Sequence, residues 1–232
     1  MSSKKIKVME NGPFVISGEI PLIKLVLKTD EEGYPYEWTE KHRYPLQENY
    51  SLCRCGQSKN KPFCDGTHEK IDFQGIETAS HDNYEVKAKI TEGPDLVLAD
   101  NHKLCTHVGF CTRAGTIGFL VRNSDNPDYR KIAIQEAANC DSGRFVVHDK
   151  TGKVIEPEFE PSIAVLEEPD KEVSGPLWVR GGIPIESAEG FTYEIRNRVA
   201  LCRCGKSLNK PFCDGTHIII YFDDGDDSLK ND

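Results

Sequence analysis

The chain has 232 residues, of which 38% are hydrophobic, with 29 Lys and Arg against 38 Asp and Glu and a formal charge of −9. This length and apolar content allow a folded core, and the glycine, proline and charge contents exclude fibrous and wholly disordered chains. The acidic balance argues against binding to nucleic acid or to an anionic membrane, because both attract positively charged surfaces.

The cysteine content points to metal or redox chemistry. Nine cysteines cannot all pair into disulfides within one chain, and clustered free cysteines are typical of a reducing compartment. Residues 1–7 have no apolar run behind them, and no stretch approaches the roughly 18 apolar residues of a membrane span. We therefore predict a cytoplasmic protein with no secretory signal and no membrane association.

β-Favouring side chains predict most of the regular structure along the chain. Predicted strands cover 14–16, 25–27, 145–147, 178–179 and 191–195, and 218–222 reads as a closing strand or, alternatively, a buried helix end. Asp128 is expected to cap a helix over 129–139. The residues from 156 to 172 are predicted to be an acidic linker, and 223–232 a frayed, solvated end. The sequence thus predicts a mainly β chain with short helices, an α+β fold.

A 17-residue segment occurs twice. Residues 52–68 and residues 201–217, 149 positions later, are identical at fifteen of these 17 positions. Weaker similarity precedes each copy, relating 12–21 to 175–184, and the first copy carries 14 extra residues before its cysteines. We expect this extra material around 30–42, as a long hairpin or loop.

Each copy spaces four candidate metal ligands as Cys-x-Cys-x8-Cys-x3-His. Both thiolates of the first pair can point at one metal site, and the histidine lies about one helical turn beyond the third cysteine. Asp65 and Asp214 stand where a helix N-cap belongs, so a helix beginning there would direct its amides at negative ligands. Structural zinc, an iron–sulfur cluster and a group of buried free thiols are the alternatives for this pattern.

The sequence Cys-Asp-Gly-Thr-His at 64–68 and 213–217 resembles the signature of the CDGSH iron–sulfur domain, with Thr in place of the usual Ser or Ala. The resemblance implies one 2Fe–2S cluster in each copy, held by three cysteines and one histidine. The implied ligands are Cys53, Cys55, Cys64 and His68 in the first copy and Cys202, Cys204, Cys213 and His217 in the second. Family members are homodimers of intertwined β-rich protomers. Two β-rich units of this chain are therefore expected to pair as an internal pseudo-dimer, which would allow the chain to be a monomer.

The remaining three cysteines lie between the two copies. The segment 104–111, together with 140–143, is similar to a divergent single-cluster ferredoxin-like domain, with Asp141 where proline is usual. That resemblance implies a 4Fe–4S or 3Fe–4S cluster bound by Cys105, His107, Cys111 and Cys140. His102 is an alternative to His107, and a cluster with an open iron is another. The alternative without a cluster is three buried thiols beside a solvated or hydrogen-bonded histidine.

We expect three units: a first CDGSH unit over 1–91, a ferredoxin-like middle domain over 92–172, and a second CDGSH unit with an acidic tail over 173–232. A neutral imidazole ligand raises the reduction potential above that of an all-cysteine site and responds to protons. These properties suit electron transfer, redox sensing or cluster transfer with an unidentified redox partner protein. Alternatives are an oxidoreductase component acting with a partner enzyme and a zinc-stabilised interaction module.

No dinucleotide-binding or phosphate-loop motif is present in the sequence, and no nucleophile–base constellation is evident. We therefore predict no catalytic residues and an electron carrier or cluster protein rather than an enzyme. Charged residues of the two motifs are candidates for a partner-docking patch, with a plain solvated loop as the alternative. These residues are Lys59, Lys61, Lys206, Lys210, Arg54 and Arg203.

Overall fold

A computed structural model describes residues 3–229 of the chain. In that range it contains twelve β-strands and four α-helices, which confirms the mainly β, α+β fold. The strands are β1 (Lys5–Val8), β2 (Phe14–Ser17), β3 (Leu22–Thr29), β4 (Pro35–Arg43), β5 (Asn49–Leu52), β6 (Lys89–Glu92), β7 (Leu96–Asp100), β8 (Phe145–Asp149), β9 (Ser162–Glu168), β10 (Val173–Arg180), β11 (Ile185–Glu186) and β12 (Arg198–Leu201). The helices are α1 (Thr67–Lys70), α2 (Ile117–Arg122), α3 (Pro127–Asn139) and α4 (Thr216–Ile219). No helix among these residues has the length and apolar character needed to cross a membrane.

Two of the three sheets combine strands from both repeats. The first sheet has the order β11-β1-β2-β5, and β11 of the second repeat runs parallel to β1, with Ile185 opposite Ile6. The second sheet has the order β12-β10-β9-β3-β4, and β3 of the first repeat runs parallel to β9, with Leu22 opposite Ile163. Each repeat therefore supplies strands to the sheet of the other, and neither sheet is complete without both repeats.

The two mixed sheets share one apolar core. Leu52 and Leu201, the last residues of β5 and β12, are 0% and 1% exposed and lead directly into the two cysteine loops. Burying an aliphatic side chain of this size contributes about 1.5–3 kcal/mol, so separating the repeats would expose much of what stabilises them. Other core members from both repeats are Ile6, Val8, Phe14, Ile16, Ile163, Val165, Leu177 and Val179.

The third sheet, β6-β7-β8, forms a separate core with α2 and α3. Arg198, on β12 of the second repeat, links the two cores because its side chain is 1% exposed and binds carbonyl groups of the middle segment. Its guanidinium donates to the carbonyl oxygens of Cys140 and Phe145 at 3.0 and 2.9 Å and forms an ion pair with Glu156 at 2.5 Å. The middle segment is thus fastened to the strand that enters the second cysteine loop.

Several predicted elements are confirmed. Strands occupy 14–16, 25–27, 145–147 and 178–179, and the extra residues of the first repeat form the β3–β4 hairpin. The helix predicted over 129–139 is α3, although its cap is Asn126 rather than Asp128. The Asn126 side chain accepts hydrogen bonds from the amides of Asp128 and Tyr129, and Pro127 takes the first helical position, which suits its fixed φ.

Four predictions about the regular structure and the chain end are wrong. The supposed linker contains β9, whose residues are all buried, because its acidic side chains are paired inside the protein. Residues 191–195 contain only an isolated bridge at Thr192, and 218–222 form the end of α4 and a turn, leaving Ile219 78% exposed.

The acidic end is also held in place as far as it is described, because Asp224 and Asp226 form ion pairs with Arg203 and Lys24. The last residues of that predicted end, 230–232, lie outside the described range.

Candidate metal centres

The two cysteine loops have matching hydrogen bonds. In the first, the amide of Cys53 donates to the carbonyl of Pro62 at 2.8 Å, and in the second the amide of Cys202 donates to that of Pro211 at 2.9 Å. The hydroxyl of Ser58 closes the first loop on the Phe63 carbonyl at 2.6 Å. Ser207 and Phe212 do the same in the second loop at 2.7 Å. These bonds close the two loops in the same way.

Within each loop, the four predicted ligands lie as two close pairs. The Sγ atoms of Cys53 and Cys55 are 3.7 Å apart, and Cys64 Sγ lies 3.4 Å from Nδ1 of His68. The second loop repeats this arrangement, with 3.7 Å between the Sγ atoms of Cys202 and Cys204 and 3.3 Å between Cys213 Sγ and His217 Nδ1. In both histidines Nδ1 faces the ligand set and Nε2 points away from it.

The pairs do not converge on one point. Among residues 3–229, the one group of three or more Cys, His, Asp or Glu ligand atoms within 4.8 Å of each other is Glu167, Asp224 and Asp226, so neither motif gathers three of its ligands that closely. A tetrahedral zinc with Zn–S distances of about 2.3 Å would hold its sulfur ligands about 3.8 Å apart. Two separate pairs, each at the spacing of ligands on one metal, fit a centre with two metal atoms.

Burial raises the pKa of Cys64 and Cys213, and backbone amides act in the opposite direction on both thiols. The amide of Gly66 donates to Cys64 Sγ at 3.5 Å, and the amide of Gly215 donates to Cys213 Sγ at 3.4 Å. The neighbouring thiol of Cys55 lowers the pKa of Cys53 to about 6. A hydrogen-bond donor that favours the charged form of a thiol also favours its bonding to a cation.

The motif aspartates lock the loops rather than occupy the N-cap position. That position is taken by Gly66 and Gly215, at φ 82° and 83°. The Asp65 carboxylate accepts from the Lys59 amide at 2.8 Å and the Thr67 amide at 3.0 Å, and these bonds hold the pKa of Asp65 well below its usual range. Asp214 accepts equivalent bonds from the corresponding amides of the second loop. The carboxylate therefore joins the middle of each loop to the start of its helix.

The two loops touch each other through their Cys-Gly backbones. A Cβ built on Gly56 would lie 2.7 Å from the carbonyl oxygen of Cys204, and one built on Gly205 would lie 2.6 Å from that of Cys55. The contact is reciprocal, so the second cysteine of each ligand set lies at the junction between the loops.

We expect Gly205→Ala to lower the melting temperature more than the control Gly33→Ala. Both glycines have positive φ, 78° and 84°, but nothing lies within 4 Å of a Cβ at Gly33. The difference between the variants therefore measures the contact between the loops, for which overpacking costs about 1–3 kcal/mol. Thermal unfolding checks this, at about 2–4 °C per kcal/mol for a chain of this size. Equal melting temperatures would contradict close packing of the loops.

The three remaining cysteines share one region of the middle segment. Burial raises the pKa of Cys111 to about 11, and the neighbouring Cys140 and Cys105 add to that rise. Arg144 donates to Cys105 Sγ at 3.2 Å and is itself held by Asp100. Cys105 and Cys140 therefore both lie near enough to Cys111 to act on its thiol, and the Arg144 guanidinium contacts Cys105.

His107, the predicted fourth ligand of the middle segment, lies beside the second motif. The ring of His107 lies over Gly215 of the second motif, where a Cβ would come within 2.3 Å of its Cδ2. His102, the alternative, is exposed. The structure thus groups the three cysteines and directs His107 toward the second CDGSH loop.

Sequence reasoning missed the buried charges around the motifs. Arg54 and Arg203 are 2% and 3% exposed, so their predicted place in a docking patch is wrong. Glu168 and Asp141, both 0% exposed, lie at the second motif but not in the repeated segment. The repetition of an arginine between two closely spaced cysteines in both copies could have indicated that this side chain is buried. No sequence pattern connects the two carboxylates to the motif, so their burial there could not be predicted.

The family model described as iron-binding zinc finger, CDGSH type, matches residues 11–69 and 174–218. Each match contains one complete set of paired ligands, so these two regions are similar to the family's iron-binding domain, which supports an iron–sulfur protein. The match does not cover the three cysteines of the middle segment. No curated protein matches the chain.

Proposed function

We propose that the protein is an electron carrier that holds one 2Fe–2S cluster at each CDGSH motif. The ligands would be Cys53, Cys55, Cys64 and His68 in one site and Cys202, Cys204, Cys213 and His217 in the other. The observation that carries the proposal is the arrangement of each ligand set as two separate pairs. A bound 2Fe–2S cluster accepts and returns one electron.

The fold supports electron exchange within the chain. The loops of the two sites are in direct contact at Cys55 and Cys204, one ligand from each set. The exchanged strands β3 and β11 hold the two repeats in this position. We propose on these grounds that the repeats form an internal pseudo-dimer and that the chain works as a monomer.

The external redox partner is proposed to be a protein that approaches the edge of a motif. Lys59 and Leu208, at equivalent positions of the two loops, are both exposed, so the first loop presents a cation where the second presents an apolar side chain. All nine cysteines are free thiols, which fits the cytoplasmic location expected from the sequence.

Anaerobic titration with a one-electron reductant tests the carrier role. We expect the protein to take up one electron per motif, to return them to an oxidant, and to keep its iron through repeated cycles. Loss of iron during the first cycle would favour cluster transfer over electron transfer. Uptake of no electrons by iron-loaded protein would contradict the proposal.

A further cluster in the middle segment is a second proposal. It is supported by the proximity of Cys105 and Cys140 to Cys111 and by the guanidinium of Arg144 at Cys105, which would offset the negative charge of thiolates. With His107 directed toward Gly215, a site with three protein ligands is the form that fits these residues.

We expect the variant with Cys105, Cys111 and Cys140 all changed to serine to lose about three or four irons per chain, because Fe–S clusters need thiolate ligands. The control is Thr112→Ala, which changes an exposed residue next to Cys111 but removes no thiol. Anaerobic reconstitution followed by iron analysis makes the comparison. Equal iron in the triple variant and the control would mean that these thiols hold no cluster.

A further inference from the structure

We propose that the two cluster sites are inequivalent and that Glu168 is the positioning residue that makes them so. Glu168 holds the His217 ring and gives the second cluster a lower reduction potential and slower iron loss than the first. This inference rests on the proposed function, since it requires a cluster at each motif.

The contact between His217 and Glu168 is enclosed by protein. Nε2 of His217 and Oε1 of Glu168 are 3.5 Å apart, with side chains 2% and 0% exposed. In the described chain both atoms are buried without a hydrogen-bond partner, so the nearest group to which Nε2 could donate is this carboxylate oxygen. Because Nδ1 faces the ligand set, Nε2 carries the proton of a neutral ligating imidazole and points it at the carboxylate.

The surrounding residues fix Glu168 at this point. Its other oxygen accepts from Lys171 Nζ at 2.6 Å, and the same ammonium donates to the carbonyls of His107 and Val108 at 2.8 Å. On the neighbouring strand, Gly175 leaves room for the carboxylate, since a Cβ there would lie 3.3 Å from Oε1. The middle segment thus fastens Glu168 and covers the second site.

The first site lacks this enclosure among the residues that the structure describes. The carboxylate that faces Nε2 of His68 belongs to Glu69, at 3.8 Å, and it is 81% exposed, while the His68 side chain is 15% exposed. The turn at Gly12 lies beside the ring, where a Cβ would be 3.8 Å from Nε2. At the first site the exposed Glu69 thus stands where the second site has the buried Glu168. A substitution of Glu69 is therefore the matched control for a substitution of Glu168.

The arginines that lie between the paired cysteines of the two motifs differ in their charge partners. Arg203 pairs with Glu167 at 2.7 Å and also with Asp224, so its charge is balanced within the protein. Arg54 donates to the Gly75 carbonyl at 2.6 Å, and its Nε and Nη1 have no partner in the described chain. Carboxylates therefore pair with the charge of Arg203, whereas Arg54 forms no ion pair with the residues that the structure describes.

A carboxylate that accepts a hydrogen bond from a ligating histidine makes the imidazole more basic and fixes its orientation. Both effects strengthen the bond to iron, and the added negative charge opposes the entry of an electron. The second cluster should thus be retained more firmly and reduced at lower potential. The first, with its more accessible histidine, should exchange electrons with the external partner.

Single-site proteins allow each cluster to be measured alone. Cys213→Ser should retain the first cluster and Cys64→Ser the second, and each is titrated potentiometrically and challenged with a chelator. Glu168→Gln is then added to the protein that retains the second cluster, and Glu69→Gln to the protein that retains the first. We expect Glu168→Gln to raise the potential and speed iron loss by about tenfold or more, and Glu69→Gln to change neither appreciably.

Glu168→Asp keeps the charge but shortens the side chain, so it separates contact from charge if the glutamine variant folds poorly. We expect it to speed iron loss as well, with a smaller change in potential. Clusters present at both sites with equal potentials and equal loss rates in the wild type would overturn the inference while leaving the proposed function intact. Wild-type protein that binds no iron–sulfur cluster would overturn both.

Discussion

Cys64→Ser should remove about half of the iron and acid-labile sulfide of the CDGSH sites and leave the second site loaded. The reason is that each ligand set is complete within its own loop, and Cys64 contributes to the pair that it forms with His68. A serine oxygen replaces the thiolate that holds one metal atom, and the remaining pair cannot hold a two-metal centre by itself. Iron and sulfide analysis after anaerobic purification measures the effect.

Cys213→Ser is the matched variant in the second loop, and it should produce the same loss from the other site. The double variant should then retain neither CDGSH cluster. Thermal unfolding of each single variant verifies that the shared core remains folded. If either single variant lost both clusters while keeping its fold, the sites would not bind independently and the description of two complete ligand sets would be wrong.

Replacing His68 and His217 together with cysteine should lower the reduction potentials and slow the loss of the clusters in mild acid. Each exchange substitutes a thiolate for a neutral imidazole, so each oxidised centre carries one more negative charge and accepts an electron less readily. Imidazole binds iron only in its neutral form, so protons compete directly with the metal for it. Potentiometric titration and the decay of visible absorbance at mildly acid pH measure the two effects.

Both shifts arise from the same exchange and should appear together. His148→Cys, on β8 and outside both ligand sets, is the control and should change neither the potential nor the decay. Unchanged potentials in the double variant, with clusters still bound, would mean that His68 and His217 are not ligands.

The ligand sets were predictable from the sequence because they are local. All four members of each set lie within 16 consecutive residues, and loop hydrogen bonds such as Ser58 to Phe63 close each loop within the same segment. The mainly β character was also predictable, since strands such as β2 and β10 are rich in β-favouring side chains. Repetition made the equivalence of the two sites visible without any structural information.

The predictions that failed concern segments whose structure depends on residues outside those segments. The acidic residues of β9 resemble a solvated linker until Arg203 and Lys171 are seen to neutralise Glu167 and Glu168 inside the protein. The apolar run that begins at Ile218 resembles a closing strand, but the preceding Gly215 starts a helical turn there. An ionised side chain is buried only when it has a partner, and that partner is often far along the chain. The local sequence pattern does not identify such partners.

The difference between the two CDGSH sites also depends on residues that are distant in the sequence. The repeats are nearly identical at the ligands, and the distinction arises from the β9–β10 connection and the middle segment, which enclose the second motif at His217. A duplicated motif therefore does not imply duplicated properties. The surroundings of each histidine, rather than the ligand spacing, are what differ between the two sites.

A count of metal and acid-labile sulfide per chain, made on anaerobically purified protein, tests the central claim most directly. The paired geometry of Cys53 with Cys55 and of Cys64 with His68, repeated in the second loop, predicts iron and sulfide in equal amounts, with visible absorption that bleaches on reduction. Zinc at one atom per motif, without sulfide and without visible absorption, would contradict it.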